Sequence, residues 1–324
     1  GYDKIPETIP ECSALEFLPD PAERLEDRAR QYFTGIGAHE TVTFSLISDA
    51  GLTEDDLRHA ISIVNPQHKE LRWLRPTLVT SLLTVVQKNV HAGFRGASFF
   101  EIANVYSKGP APSHPVEERT LGMMLYGEVR PENFIDRERL SSFFDLKGWI
   151  RAFLTGLGIT EISCRRSERC HLDPAISEQI FVGGIPAGEA GKIHSGLSSR
   201  WGIETDVFFA QLSLEKILGA VRWIRPVTDW PRYPAVDRDL SVMVREGVKA
   251  AEIEEEIFKH GGGLIREVRL FDLFRGGRVP KGFKNLSYRV IYQSRETTLV
   301  SEQIQALHQD IGRKVAAKFE ASFQ

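Results

Sequence analysis

Three cysteines in 324 residues, Cys12, Cys164 and Cys170, are too few and too odd in number for a disulfide framework, and they suit a reducing compartment. Long apolar runs are missing as well. Nothing approaches the ~18–20 uninterrupted apolar residues that a membrane helix needs. Neither sign of charge dominates: 41 Lys and Arg stand against 44 Asp and Glu, and the net charge of -3 alone says nothing about nucleic acid. Metal-ligand spacing is lacking. Cys164, Cys170 and His171 lie close together, but the spacing is not that of a zinc knuckle and no fourth ligand is in view, so a structural or surface role is assigned to them. No Ser/His/Asp set emerges. Glu254, Glu255 and Glu256 are consecutive, so a helix points them in different directions, and they read as solvated surface. His39, His91 and His194 have no evident partners and read as packing or surface residues. The chain opens at Gly1 without Met or a secretory signal, and is read as an excised fragment.

What is present is enough chain for about two domains at ~100–200 residues each. Residues 1–20 hold Pro6, Pro10 and Pro19 and read as an extended lead-in. A helix then opens, with Asp20 as cap, Pro21 at its first position and Glu23 where a capping-box acid belongs. Leu25, Ala29, Tyr32, Phe33 and Ile36 give it an apolar stripe, and Gly35 and Gly37 stop it. Thr41–Ile47 alternates, which predicts a strand burying Val42, Phe44 and Leu46. Thr77–Val90 predicts a second helix with Leu78, Leu82, Val85, Val86 and Val90 on one side. Strands are expected at Ser98–Tyr106 and Thr120–Tyr126, a helix at Phe143–Leu157, and short strands near Gln179–Val182, Gly191–His194 and Val207–Leu214. Strands outnumber helices without alternating with them, so the fold class is α+β with an antiparallel sheet rather than parallel α/β.

Pro226, Pro231 and Pro234 mark Trp223–Pro234 as a connector. Beyond it come a strand at Asp239–Val244, a helix at Ala250–Lys259 ended by Gly261 to Gly263, strands at Leu264–Phe274 and Leu286–Gln293, a long helix at Ser301–Phe319 and a short tail strand. That order, βαββαβ, is the ferredoxin-like arrangement. Charge shifts here too. Residues 225–324 hold 17 Lys and Arg against 14 Asp and Glu, while residues 1–224 hold 24 against 30. Arg266–Arg289 alone carries seven basic residues against Glu267 and Asp272, a strip able to hold phosphate unless it is simply a solvated face.

Several stretches, in order along the chain, are similar to the β chains of bacterial phenylalanine–tRNA ligases. Gly1-Tyr2-Asp3-Lys4-Ile5-Pro6 resembles the GYDxIP exit of a preceding helical domain. Asn65-Pro66, Leu74-Arg75-Pro76-Thr77-Leu78 and Leu82-Leu83 resemble NP…LRxSLxxGLL, Phe100-Glu101-Ile102 with Val105 and Tyr106 resembles FEIGxVY, and Phe144-Asp145-Leu146-Lys147-Gly148 resembles FxDLKG. Tyr233-Pro234 with Arg238-Asp239-Leu240 resembles the entry of the family's ferredoxin-fold anticodon-binding domain. Phe271-Asp272-Leu273-Phe274, Gly276, Pro280, Gly282, Lys284, and Thr298-Leu299 with Glu302, continue that match. Asn285, Thr297, His194-Ser195 and Leu172-Asp173-Pro174 depart from the family's usual residues.

The resemblance implies three parts: residues 1–11 as the tail of a preceding domain, 12–222 as a class II synthetase-like module without its active site, and 223–324 as the anticodon-binding domain. It implies a β subunit that assembles with an α subunit as (αβ)2 in the cytoplasm, with no membrane association. Phenylalanine and ATP would be bound by α, magnesium would belong to the intact enzyme, and the family's editing site and magnesium-binding acids would lie upstream of the GYDxIP exit, leaving no cofactor, no metal and no catalytic residue in this chain. The residues agree: catalytic class II enzymes place Arg in an FRxE strand, where this chain reads Ser98-Phe99-Phe100-Glu101. The glycines at 183, 184 and 188 lead to Glu189 rather than Arg and suit a hairpin turn. The Leu25/Ala29/Phe33/Ile36 and Leu78/Leu82/Val86 stripes are expected to leave apolar surface for the partner subunit. For tRNA the expected contacts are Arg275, Arg278, Lys281 and Lys284 in the glycine-rich loop and Arg238 in the entry segment, with Phe274, Phe283 or Tyr288 as a stacking partner for a base unless these aromatics are simply core. If that loop is not the RNA surface, the Trp230–Arg238 segment is next. Two other readings remain: a non-enzymatic RNA-binding protein built from these modules, and a single-chain organellar-type ligase.

Overall fold

The computed structural model describes residues 1–8, 20–109, 115–130, 132, 134–224, 227, 229–277 and 279–323; Cys12 and part of the proline-rich lead-in and connector lie outside them. The chain divides into two compact units, Gly1–Arg225 and Pro226–Gln324.

The first unit begins with α1 (Pro21–Gly35), whose N-cap Asp20 accepts a hydrogen bond from the Ala22 N–H at 2.9 Å. Then come β1 (His39–Glu40), β2 (Leu46–Ile47), α2 (Glu54–His59), β3 (Ile61–Ser62), β4 (Trp73–Leu74) and α3 (Val79–His91). The long antiparallel hairpin β5 (Gly96–Ser107) and β6 (Val116–Arg130) is followed by β7 (Arg139–Leu140), α4 (Phe143–Gly156), β8 (Ile162–Arg166), β9 (Leu172–Val182) and β10 (Ile185–Ile193). Gly183 and Gly184 turn β9 into β10 with φ of 56° and 79°, the hairpin read from the sequence. The unit closes with α5 (Ser195–Ser198), β11 (Val207–Ser213) and α6 (Leu214–Leu218).

Of these strands, β2, β4 and β3 form a separate antiparallel sheet in that order. The other eight form one sheet in the order β1-β5-β6-β11-β10-β9-β8, with β7 against β6, and among the described residues only its β1–β5 pairing is parallel. The sheet is buried on both faces. Phe100, Ile102, Leu121, Met123, Leu125, Phe208 and Ala210 point to a core shared with α1, α4 and α6. Their neighbours Phe99, Ala103, Val105, Met124, Tyr126, Val207 and Phe209 point to a second core under α3. Two buried faces explain why the strands read as continuous apolar runs. Contact between α3 and β6 is close: a Cβ on Gly122 would stand 2.6 Å from Leu78 Cδ1 and 2.9 Å from its Cβ.

Two expectations change here. Leu25, Ala29 and Phe33, and Leu78, Leu82 and Val86, are covered within the chain itself, so those stripes are core rather than partner surface. And Thr41–Ile47 is not one strand: only Leu46–Ile47 pairs, with β4. The segment before it is extended, but its apolar side faces out. Val42 is 93% and Phe44 81% exposed, while Thr43 turns inward to bond Glu101. A side-chain carboxylate, not a strand ladder, takes the Thr43 N–H.

The second unit comprises β12 (Val236–Arg245), α7 (Ala250–His260), β13 (Ile265–Phe274), β14 (Phe283–Tyr292), α8 (Ser301–Phe319) and β15 (Ser322–Phe323). All pairings are antiparallel, in the order β13-β14-β12-β15, which is the ferredoxin-like sheet. Leu240, Val242, Val244, Leu286, Tyr288, Val290 and Tyr292 face Ile253 and Ile257 of α7 and Ile304, Ile311 and Val315 of α8. One face of the sheet is therefore covered by helices. Glu256 departs from the solvated-surface reading. It is buried at the α7–α8 contact, 2.5 Å from Lys318 Nζ and 2.7 Å from His260 Nε2.

Candidate nucleic-acid interface

Strand alternation puts the odd-numbered residues of β12 and β14 on the face away from the helices, and register lines them up in rows. Arg269, Arg289 and Asp239 form one row, Asp272, Ser287 and Ser241 the next, and Phe274, Asn285 and Met243 a third. A bulge between Leu270 and Asp272 lets Phe271 turn out as well. The centre is preorganised. Arg289 donates two hydrogen bonds of 2.9 Å to the Asp239 carboxylate, and its guanidinium carbon stands 5.3 Å from the centroid of the Phe271 ring. The Arg289 hydrogen bonds hold the Asp239 carboxyl below the usual range and raise the arginine in turn. Arg269 is bonded to Glu267 at 2.7 Å, and Phe271 and Phe274 remain about half exposed.

The β13–β14 loop holds the cations expected from the sequence, but it does not present them alike. Arg275 is exposed and bonded to Glu246 at 2.6 and 2.8 Å, which depresses the Glu246 carboxyl. Lys281 is exposed. Lys284 is not available: it is 9% exposed and donates to the Glu246 carbonyl oxygen at 2.8 Å. Glu246 thus ties down two of the four expected contacts, and its own N–H donates to the Gly282 carbonyl at 2.8 Å. Gly282 has φ of 86°, a conformation that lets the loop close on itself. Arg278 lies outside the described residues.

Tyr288 cannot stack on a base. It is fully buried beneath the sheet, its hydroxyl donates to the Ala250 carbonyl at 3.1 Å, and burial pushes its pKa up. Arg238 sits on the helix side as well, partly buried, bonded to Ser301 Oγ at 3.0 Å and Gln305 Oε1 at 3.3 Å on α8. The residues the sequence reading missed are Arg269, Arg289 and Phe271 on the open face. For Arg289 the signal was the parity of β14, where it falls between Tyr288 and Val290; Arg269 and Phe271 lie on the bulged β13.

In the first unit, the residues at the FRxE-like position are committed to packing and pairing. Phe99 and Phe100 go to opposite cores. Glu101 meets Arg75 at 3.0 Å, both 2% exposed, and also accepts from the Thr43 N–H and hydroxyl. The two arms of the sequence resemblance, Leu74-Arg75-Pro76 and Phe100-Glu101-Ile102, are thus joined by one ion pair. His171 is buried against Glu189 at 3.0 Å, and Gln211 donates to the same oxygen. Cys164 and Cys170 are exposed, and among the described residues no three His, Cys, Asp or Glu side chains gather to hold a metal. His194, expected to lack a partner, caps α5: its Nδ1 accepts from the Gly196 N–H at 3.1 Å. No helix among the described residues is long and apolar enough to cross a membrane.

The family model of the phenylalanyl tRNA synthetase beta chain CLM domain matches residues 5–214, and that of the ferredoxin-fold anticodon binding domain matches residues 231–324. The phenylalanine–tRNA ligase beta subunit of Symbiobacterium thermophilum is 32% identical over 98% of this chain and 36% of its own length. That of Geobacter sulfurreducens is 29% identical over 100% of this chain and 41% of its own. The chain therefore spans well under half the length of these curated relatives. Among solved structures, a pyrrolysyl tRNA synthetase of Desulfitobacterium hafniense aligns with 60% of this chain and 65% of its own at 18% identity and a TM-score of 0.48. With one family model covering most of the first unit and a second most of the other, the chain belongs to the phenylalanyl-tRNA synthetase β-chain family.

Proposed function

We propose that this chain is the C-terminal portion of a phenylalanine–tRNA ligase β subunit and supplies tRNA binding and subunit assembly. Phenylalanine and ATP belong in this reading to the α subunit, and magnesium to the intact (αβ)2 enzyme, in the cytoplasm. The observation that carries it is the open face of the ferredoxin-like sheet, where Phe271 and Phe274 stand among Arg269 and Arg289. Unstacked bases need an aromatic or guanidinium plane, and the backbone between them needs cations. Arg275 and Lys281 extend the basic surface into the loop, and Arg278 is proposed as a further contact. Lys284, Tyr288 and Arg238 act from the other side, by holding the hairpin and α8 in place. The boundaries proposed for the parts remain 1–11, 12–222 and 223–324.

Assembly is supported by Val42 and Phe44. Thr43 between them is pinned to the buried Arg75–Glu101 pair, so two apolar side chains are held in solvent on a fixed segment. An apolar pair held that way suits a partner subunit.

A phenylalanine-specific tRNA transcript titrated with the chain tests the reading. Binding should weaken with salt by a log–log slope of about -0.7 per single-stranded phosphate contact. Arg269→Gln/Lys281→Gln/Arg289→Gln should raise Kd and flatten the slope. The absence of binding at about 50 mM salt, or an unchanged slope in the triple variant, would refute the surface. For the division of labour, phenylalanine-dependent pyrophosphate exchange by the chain alone should stay at background.

A further inference from the structure

A further cluster of cations lies within the first unit. Arg24 and Arg28 stand one turn apart on α1, and with Arg222, Trp223, Gly156 and Leu157 they line a cleft of about 330 Å3. Arg24 and Arg222 are held in place. The Arg24 guanidinium carbon lies 4.3 Å from the centroid of the Trp223 ring, so the indole sets its plane. The Arg222 N–H donates to the Leu157 carbonyl at 2.9 Å, and a Cβ on Gly158 would stand 2.8 Å from the Arg222 carbonyl oxygen, so only glycine lets the two segments close. Arg28 rides on α1, whose opposite face, with Leu25, Ala29 and Phe33, is locked in the core.

Among the described residues, no carboxylate or carbonyl meets any of these three guanidiniums. Of the acids on α1, Glu26 is engaged with Arg119 and Arg30, and Asp27 with Arg30. A like-charged pair at i and i+4 disfavours its helix. The C-terminal end of α4 at Gly156 and Leu157 offsets part of that repulsion, since a helix C-terminus favours cations, but it leaves the guanidinium donors unmatched.

We propose that this cleft takes a phosphate group of the RNA strand, a contact separate from the ferredoxin-like sheet; the proposal rests on the tRNA reading above. A guanidinium fork grips two phosphate oxygens at once, and three forks around one cleft suit a group with charge spread over several oxygens better than a single carboxylate. Leu157 and the Trp223 ring supply the apolar wall against which a ribose can lie.

The test uses the whole chain and the same tRNA, with fluorescence anisotropy read from about 50 to 200 mM salt. Arg28→Gln/Arg222→Gln keeps the Arg24–Trp223 stack. It should raise Kd about tenfold and flatten the log–log slope by about 0.7–0.9 for one phosphate lost. Because both side chains are exposed, the melting temperature should not move; Arg28→Lys/Arg222→Lys, which keeps the charge and loses the fork, should give an intermediate loss should the first variant fold poorly. Unchanged Kd and slope would overturn the proposal and leave the tRNA reading standing, because Arg269→Gln/Lys281→Gln/Arg289→Gln reports on that reading separately. No binding by the unmodified chain overturns both. Calorimetric titration with inorganic phosphate and pyrophosphate separates the sources: saturation by these at micromolar levels, with tRNA affinity unmoved in the variant, assigns the cleft to a free anion and overturns the RNA assignment. A variant that binds tRNA normally yet loses the α subunit assigns it to an acidic protein segment, with the same consequence.

Discussion

Replacing Arg75 with methionine removes one half of the best-buried ion pair in the first unit and leaves the other half behind. Arg75 and Glu101 are each 2% exposed and 3.0 Å apart. The arginine also donates to the Asn104 carbonyl at 3.0 Å and the Thr43 hydroxyl at 2.8 Å. Without it, the Glu101 carboxylate keeps only the Thr43 N–H and hydroxyl, and the Asn104 carbonyl loses this donor. Breaking a buried pair from one side costs about 3–5 kcal/mol, because an uncompensated charge stays inside. For a unit of this size that is a fall of roughly 10 °C in melting temperature. Scanning calorimetry of the whole chain is the assay, with the ferredoxin-like unit as an internal reference. Arg75→Met/Glu101→Leu should recover much of the loss, since an apolar pair of similar volume is often neutral. A single variant that loses less than about 1 kcal/mol, or a double variant no better than the single, would refute the account. The pair also anchors Thr43, so on the proposed docking of Val42 and Phe44, Arg75→Met should weaken binding to an α subunit as that segment loosens.

Val42→Asp/Phe44→Asp should leave the melting temperature within about 1 °C, both side chains being exposed, yet abolish a complex with the α subunit detected by light scattering; an intact complex refutes the docking role. Gly122→Val drives its side chain into Leu78 and should cost about 1–3 kcal/mol by overpacking, measured by urea unfolding. His308 is buried, its Nδ1 2.9 Å from the Tyr292 hydroxyl while its other ring nitrogen faces the Asp239 carbonyl at 3.2 Å; burial first, and Arg238 nearby, lower its pKa. The unfolded chain then takes up the proton first as pH falls, so the ferredoxin-like unit should lose stability as pH drops below about 6.5 and level off under the folded pKa, and His308→Gln should flatten that pH dependence in the melting curve.

Much of the fold was legible because the long elements carry their period in the open. The α1 stripe, the α3 stripe and Ser301–Phe319 all formed where spacing put them. Thr41–Ile47 misled because alternation shows that two faces differ, not which is buried. There the polar side found the stronger partner: Thr43 could reach the buried Glu101, and Val42 and Phe44 were left to solvent. Nothing in residues 41–47 announces a carboxylate 58 positions later.

The candidate interface was legible in part, and the part that was missed divides into two kinds. Tyr288 shares parity with Leu286, Val290 and Tyr292, and Arg238 with Leu240, Val242 and Val244, so strand alternation alone places both on the helix side. The same reasoning sends Arg289 to the open face. Lys284 also has core parity, and a lysine there needs a polar anchor at the sheet's end; the Glu246 carbonyl supplies it. What alternation could not supply is β13. Bulges between Ile265 and Glu267 and between Leu270 and Asp272 break its period twice, so no count from either end predicts that Phe271 emerges beside Arg289. Nor does spacing show Glu246 gathering Arg275 and Lys284 from across a hairpin. A basic loop met in a sequence therefore fixes how much charge is near a surface, while the strand register beside it decides how much of that charge is free to meet a phosphate.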